Sequence, residues 1–239
     1  ALGLGLRTGD LALSLGTSGT IYAVSPVPTA DPSGLVAGFA DAAGAFLPLV
    51  CTLNATKVTD TVAAWMGTDA PGLSDLALQA PPGFRDVVLV PYFDGERTPN
   101  LPDASGSMAG LRTTTTREDL ARAAHDGVLC GLMAGLDALG DAGVDISGRV
   151  HLIGGGARSG AYRQRCADLR NAPIVVPDID EAVATGAALQ AAAVSTGVGS
   201  GQIADRWDLG SGAVVEPAAG AEGPRVRYAY AEAAARLID

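Results

Sequence analysis

Two glycine-rich turns hold the residue types in this chain that are best suited to binding an anion. The first, Gly16-Thr17-Ser18-Gly19, interrupts an apolar segment that resumes at Ile21. Glycines let a backbone approach an anion closely and point its amide hydrogens at it, while the Thr17 and Ser18 hydroxyls add small donors. The turn therefore suits a phosphate, although the same tetrapeptide also occurs as an ordinary hairpin turn.

The second turn, Gly154-Gly155-Gly156-Ala157-Arg158-Ser159-Gly160, stands between a strand-like run at 149–153 and a helical pattern at 161–169. A helix N-terminus beside glycines offers free amides and the positive end of the helix dipole, which suits an anion or the sugar-phosphate part of a nucleotide. The spacing is not that of a P-loop. It also lacks the last glycine and the following acidic residue of the dinucleotide fingerprint, so a Rossmann oxidoreductase is disfavoured.

The composition limits the class of protein. The 239 residues are 48% hydrophobic and only 5% aromatic, which indicates a closely packed α/β protein. The net charge of −10 argues against nucleic acid as a partner, because no face rich in lysine or arginine is available to neutralise phosphates. We recognise no signal peptide and no apolar run long enough for a bilayer, so we expect no membrane partner. Cys51, Cys130 and Cys166 are expected to be buried free thiols of a cytoplasmic protein.

The hydrophobic periodicity predicts one α/β domain in which an antiparallel meander precedes alternating helices and strands. Strands are predicted over residues 11–16, 20–25, 34–40, 45–52, 86–92, 150–153 and 174–176. The first four of these are predicted to form two hairpins. Helices are predicted over residues 54–66, 73–79, 116–139, 160–169, 181–196 and 226–238.

Several helix ends have recognisable signals. Asn54 is expected to cap a helix that stops at Gly67, and Thr116-x-x-Asp119 resembles a capping box at the start of the longest helix. Residues 197–223, rich in Gly, Ser and Ala, are predicted to be flexible, although Trp207 indicates that their middle packs somewhere.

Several motifs in a fixed order resemble the FGGY carbohydrate kinases. The first turn is followed by Pro91-Tyr92-Phe93-Asp94-Gly95-Glu96-Arg97-Thr98-Pro99, then by Gly106-x-Met108-x-Gly110-Leu111 and the triple glycine, and the resemblance extends from Ala1 to about Thr196. Within the family the chain is similar to the xylulose kinases, which the Gly95–Pro99 loop and Cys51-Thr52-Leu53-Asn54 favour over glycerol kinase. His125 is a departure, since the family usually has an apolar residue there.

The resemblance implies an actin-like ATPase (ribonuclease H-like) α/β domain with a mixed β-sheet flanked by helices. It covers the C-terminal, nucleotide-binding half of a two-domain enzyme. The sugar-binding N-terminal domain is absent from these 239 residues, and the general-base aspartate is expected just ahead of Ala1. In the complete enzyme we expect ATP, with Mg²⁺, and D-xylulose to give ADP and D-xylulose 5-phosphate, and we expect no turnover by this chain alone.

The resemblance also implies nucleotide contacts and no catalytic residue within the chain. Phosphate contacts are expected from the first turn, and ribose, adenine and rim contacts from the second. Gly67 is similar to a family position near the nucleotide. The expected contacts are Gly16, Thr17, Ser18, Gly67, Gly154, Gly155, Gly156, Ala157, Arg158 and Ser159.

Several other polar residues could have either a structural or a functional role. Glu96 and Arg97 are expected either to pair across a surface loop or to face the domain cleft. The acidic residues at 178–181 suit the start of a helix better than a metal cluster. His125 and His151 lack triad partners and are expected in the core or on the surface.

The C-terminal pattern of Tyr228, Tyr230, Leu237 and Ile238 predicts a packing stripe, with a homodimer contact as the alternative. Three alternative functions also stay open. The chain could belong to another kinase of the family, acting on gluconate, ribulose or glycerol. It could be a non-catalytic actin-like nucleotide-binding module, or a structural domain in which the glycine clusters are only turns.

Overall fold

A six-stranded mixed β-sheet lies at the centre of the molecule, whose computed structural model describes residues 1–237. Its strands are β1 (Leu11–Leu15), β2 (Gly19–Ala23), β3 (Leu49–Thr52), β6 (Val150–Ile153), β7 (Ile174–Pro177) and β8 (Gly212–Val215). They run in the order β3-β2-β1-β6-β7-β8. The central pairs β1–β6 and β6–β7 are parallel, whereas the outer pairs are antiparallel. A separate antiparallel pair consists of β4 (Val88–Val90) and β5 (Ser107–Ala109).

Helices flank this sheet on both faces. They are α1 (Thr56–Trp65), α2 (Ala70–Gln79), α3 (Arg117–Asp141), α4 (Gly160–Arg170), α5 (Ala182–Thr196), α6 (Ser200–Arg206) and α7 (Gly223–Ala235). Two short 3-10 helices cover Leu2–Leu4 and Gly155–Arg158. The predicted α/β class and mixed sheet are thereby confirmed.

The alternation of residues along β1 separates a large core from a smaller one. Leu11, Leu13 and Leu15 are fully buried in the main core, to which α1, α3 and α4 also contribute residues. Helix α3 lies so close to the sheet that a Cβ atom at Gly135 would come within 2.9 Å of the Val50 side chain. On the other face, the Leu2–Leu4 helix packs against α5 and fully buried His151 contacts the carbonyl oxygens of Leu11 and Gly210.

The capping box predicted for the longest helix is confirmed. The Thr116 hydroxyl accepts a hydrogen bond from the Asp119 amide, and the Asp119 carboxylate accepts one from the Thr116 amide. The first predicted hairpin also forms, with Leu15 opposite Gly19 at its end. Gly67 follows α1 with a φ of 67°, as expected for a residue just beyond a helix.

The second predicted hairpin is wrong in its first half. Only β3 forms a strand, and residues 34–40 contribute isolated bridges. Asp31 instead accepts hydrogen bonds from the Ser33 and Val36 amides, and Asp41 accepts them from the Ala43 and Ala45 amides. These side chains take the place of a strand ladder in a segment that also contains several prolines.

The role predicted for Asn54 is wrong. Helix α1 begins at Thr56, and the Asn54 amide group donates to the Gly95 carbonyl and to the Glu96 carboxylate. The surface pairing of Glu96 with Arg97 is wrong as well. Glu96 is only 3% exposed, and its carboxylate accepts from the backbone amides of Leu53 and Arg97. This buried carboxylate therefore ties the 95–99 loop to the start of α1.

The prediction of a flexible segment at 197–223 is also wrong in its main part, because α6 and β8 lie within it. Ile203 is buried, whereas Trp207 is 45% exposed. In α7, Tyr230 is buried and Tyr228 is 69% exposed, so the packing stripe involves only one of the two tyrosines. The predicted helix end at Ile238 lies outside the described residues.

The remaining predictions concern thiols, histidines and membrane helices. Cys130 and Cys166 are buried free thiols as predicted, whereas Cys51 is only half-buried. Both histidines are buried, which was one of their two predicted positions. Within residues 1–237 no single helix has the length and apolar character to cross a membrane; α5 and α6 meet that test only as a pair bent by 116°.

Candidate functional site

The two glycine turns follow neighbouring parallel strands and lie at the same edge of the sheet. Ser14 of β1 is opposite Ile153 of β6, so the two strands end at the same level of the sheet and their turns begin side by side. A Cβ atom at Gly154 would lie 2.6 Å from the Leu15 carbonyl oxygen, and one at Gly156 would lie 2.6 Å from the Leu15 Cβ atom. These glycines are required because the second turn packs directly on the end of β1.

The first turn is held by the start of α1. The Thr56 amide donates to the Gly16 carbonyl at 3.0 Å, and the Ala55 amide donates to the Thr17 carbonyl at 3.2 Å. Thr17 and Ser18 are exposed, and their hydroxyls make no hydrogen bond to the described residues. Two small donors beside a helix N-terminus are therefore free to meet an anion.

The second turn forms a short 3-10 helix that leads into α4. Ser159 caps α4, because its hydroxyl accepts a hydrogen bond from the Tyr162 amide at 3.2 Å. The same hydroxyl donates to the Ser74 hydroxyl of α2 at 2.9 Å, and that oxygen also accepts from the Ala161 amide. Ser159 therefore positions the turn against α2, while Gly154 and Gly155 stay exposed.

A cavity of about 410 Å³ opens beside the second turn, between α1, α2, α3 and α4. Four of the expected residues line it, namely Gly155, Gly156, Arg158 and Ser159. The other lining residues are Thr56, Thr59, Asp60, Ala70, Pro71, Ser74, Asp75, His125, Gly160 and Tyr162.

The remaining expected residues lie outside this cavity wall. Gly16 is hydrogen-bonded to the lining residue Thr56, which places the first turn next to the cavity. Gly154 and Ala157 line a second recess of about 420 Å³ on the other side of the turn, together with Gly155 and Arg158. Gly67 lies at the far end of α1 and does not line the cavity.

His125 and Tyr162 form an uncharged aromatic floor of the cavity. Their rings meet edge to face with centroids 4.6 Å apart, and the Tyr162 hydroxyl lies 3.2 Å from that of Thr59. Burial lowers the pKa of His125 and raises the pKa of Tyr162, so both rings are neutral near pH 7. Uncharged aromatic side chains of this kind suit contact with an aromatic ring of a ligand.

Sequence reasoning missed this floor and most of the rim. Thr56 lies at the start of α1, which is hydrogen-bonded to the first turn. A helix start after β3 could have been read from the sequence, so the position of Thr56 near the site could have been inferred. His125 and Tyr162 gave no such signal, because they lie inside long helices and reach the cavity only through the packing of α3 on α4.

Comparison with known proteins identifies the family. Residues 11–195 match the model of the FGGY family of carbohydrate kinases, C-terminal domain. The chain belongs to this family.

Individual relatives agree with that family assignment. The chain is 49% identical over 216 residues to a xylulose kinase of Streptomyces coelicolor, covering 90% of this chain and 43% of that protein. A gluconokinase of Bacillus licheniformis is 30% identical over 198 residues, covering 77% of this chain and 38% of that protein.

The structural comparison gives the same assignment. The crystal structure of a xylulose kinase from Bifidobacterium adolescentis superposes with a TM-score of 0.78 at 39% identity, covering 98% of this chain and 45% of that chain. This FGGY chain therefore has the actin-like ATPase fold of the sugar kinases. It spans less than half the length of the relatives that it matches.

Proposed function

We propose that this chain is the nucleotide-binding domain of a two-domain, ATP-dependent sugar kinase, and that the whole enzyme converts ATP and D-xylulose to ADP and D-xylulose 5-phosphate. One observation carries the proposal. Two glycine turns, each next to a helix N-terminus, meet at one sheet edge beside a cavity with an aromatic floor. This juxtaposition provides an anion-binding edge and a planar-ring pocket within reach of a single nucleotide.

In this proposal the two ends of ATP occupy different parts of the site. The hydroxyls of the exposed Thr17 and Ser18 bind the terminal phosphates as donors, and Gly16, whose amide donates to the Ser18 carbonyl, lies beside these phosphates within the turn. Gly154, Gly155, Gly156 and Ser159 border the ribose, with Ala157 and Arg158 at the rim, and the base enters the 410 Å³ cavity. We assign Gly67 a place near the nucleotide only by resemblance.

The residues present fit a nucleotide. A Cβ atom at Gly155 would contact no other atom within 4 Å, so the backbone there borders open space that a ligand can enter. When bound, Mg²⁺ supplies charge neutralisation at the phosphates. Among residues 1–237 no group of three or more His, Cys, Asp or Glu side chains is arranged to hold a metal, so we name no protein ligand for it in this chain.

The choice of xylulose rests on the relatives. The S. coelicolor protein is a xylulose kinase at 49% identity, whereas the gluconokinase is 30% identical. The sugar pocket and the general base are proposed to lie in the N-terminal domain, outside these residues. In this proposal the chain orients ATP, the phosphoryl donor, and excludes water from around its base.

Isothermal titration calorimetry of the 239-residue chain with MgATP, MgADP and MgAMP tests the proposal. We expect all three to bind, and affinity to rise with the number of phosphates because the first turn binds the terminal ones. Xylitol serves as a control that lacks both base and phosphate. Absence of binding for all three nucleotides at millimolar concentration would contradict the proposal.

A further inference from the structure

We infer that His125 is a specificity-determining residue of this domain, which accepts a hydrogen bond from the edge of the nucleotide base and so favours bases with an exocyclic amino group. The inference rests on the proposed function, because it takes the base to occupy the cavity beside the second turn.

The hydrogen bonding of His125 fixes which ring nitrogen is the acceptor. Its Nδ1 atom lies 2.8 Å from the carbonyl oxygen of Ala121, one turn earlier in α3. A carbonyl oxygen can only accept, so Nδ1 must carry the hydrogen of the neutral ring. The lone pair is therefore on Nε2, which makes the opposite side of the ring an acceptor.

The surroundings of the ring keep this acceptor available. Burial lowers the pKa of His125, and the nearby charges of Asp126 and Arg165 act in opposite directions on it. The imidazole is therefore neutral near pH 7 and does not lose its lone pair to a proton. Nε2 makes no hydrogen bond to any residue that the structure describes, and the ring lines the cavity.

The rim of the cavity points to the same kind of ligand. Asp60 and Asp75 are exposed on two sides of it, and carboxylates accept hydrogen bonds but do not donate them. The His125 acceptor on the floor and these two carboxylates favour a ligand end that presents N–H donors, whereas Arg158 lines the cavity on the side of the second turn. The glycine turns, which present hydrogen-bond donors, lie at the other end of the site. The acceptors in the cavity therefore suit the base, and the donors at the turns suit the phosphates.

Adenine meets this requirement through its exocyclic amino group. Purine riboside has the same ring and ribose but lacks that group, so comparing it with adenosine isolates one donor. Loss of a single hydrogen bond to a buried acceptor reduces affinity by roughly fivefold. We therefore expect the full 239-residue chain to bind adenosine about fivefold more tightly than purine riboside in calorimetry.

Variants at His125 assign the preference to this ring. His125→Leu should bind the two nucleosides equally, because leucine has no acceptor. His125→Gln should restore part of the preference, because its amide oxygen can accept. Asp141→Asn is the matched control: it removes an exposed carboxylate of the same helix α3 that does not line the cavity, and it should leave the ratio of the two dissociation constants unchanged. If His125 were only structural, its substitution would weaken the binding of both nucleosides equally and leave the ratio of their dissociation constants at the wild-type value.

Each outcome decides the inference. Equal binding of both nucleosides by the wild-type chain overturns the role of His125 while leaving nucleotide binding intact, and binding of neither overturns the proposed function as well. A preference that survives in His125→Leu, or that disappears in Asp141→Asn, also overturns it. If His125→Leu does not fold, the wild-type ratio and its value in His125→Gln decide the matter.

Discussion

At the scale of single residues, the glycines of the second turn have different tasks although they are adjacent. Gly156 makes room for the fold, because a Cβ atom there would lie 2.6 Å from that of Leu15. Gly155 makes room for a ligand, because a Cβ atom there would contact no atom within 4 Å. Substitution by alanine separates these two tasks.

Gly155→Ala should fold normally and bind nucleotide more weakly. Its methyl group enters open space, so we expect a change of less than about 0.5 kcal/mol in the free energy of unfolding. The same methyl group occupies space next to the proposed ribose, and we expect about tenfold weaker MgADP binding by calorimetry. Gly201→Ala is the matched control, since its Cβ atom also contacts nothing within 4 Å and Gly201 lies in α6, away from the site. Unchanged MgADP affinity in Gly155→Ala would contradict the assigned position of the ligand.

Gly156→Ala should mainly lower the stability of the fold, whereas Gly155→Ala mainly weakens nucleotide binding. Overpacking against Leu15 is expected to lower the free energy of unfolding by about 1–3 kcal/mol, which urea denaturation measures. A stability equal to that of the wild-type chain would show that the end of β1 can move away from the turn.

At the scale of elements, the start of α1 depends on a loop about forty residues later in the chain. The Glu96 carboxylate accepts hydrogen bonds from the Leu53 amide at 2.6 Å, the Arg97 amide at 2.7 Å and the Asn54 side chain at 2.9 Å. Helix α1 in turn holds the first glycine turn through its Ala55 and Thr56 amides. Glu96 is thus connected to the proposed phosphate turn through its hydrogen bonds to Leu53 and Asn54 and the backbone that directly follows them.

Replacing Glu96 by alanine should strongly destabilise this junction. Three donors would lose their partner in a buried site, and we expect a loss of about 3 kcal/mol in the free energy of unfolding by urea denaturation. Asp94→Ala is the matched control two residues earlier. Its ion pair with Lys57 is exposed, so less than about 0.5 kcal/mol should be lost. Equal losses in the two variants would rule out the special role of the buried carboxylate.

The same contact explains why some elements were predictable and others were not. The capping box of α3 is a local signal within four residues, and the first hairpin is read from two apolar runs around one turn. Asn54 looked like a local cap by the same reasoning, yet its partners Gly95 and Glu96 are distant in sequence. Strand β5 is short and half-buried, so it lacks the apolar alternation by which strands are recognised.

At the scale of the whole molecule, only part of the candidate site could be predicted from the sequence. The glycine turns could be predicted because their residue types carry a backbone requirement. Their meeting at one edge depends on the parallel pairing of β1 with β6, which 134 intervening residues separate in the chain. The cavity floor depends on how α3 packs on α4, so His125 and Tyr162 could not be placed from local patterns.

The extent of the chain leads to a prediction about activity. It covers 43% of the S. coelicolor xylulose kinase, and we propose that the sugar pocket and the general base belong to the remainder. The 239-residue chain should therefore bind nucleotide but show no ADP formation from ATP and D-xylulose in a coupled spectrophotometric assay. The full-length S. coelicolor relative, tested under the same conditions, provides the control. Turnover by the chain alone would refute this division of labour.

The central claim is that both glycine turns contact one nucleotide, and amide chemical-shift mapping by NMR tests it most directly. On titration of MgADP into the labelled chain, we predict concerted shifts at Thr17, Ser18, Gly155 and Gly156 that all fit a single dissociation constant. Shifts at only one of the two turns, or at residues away from both, would contradict the account.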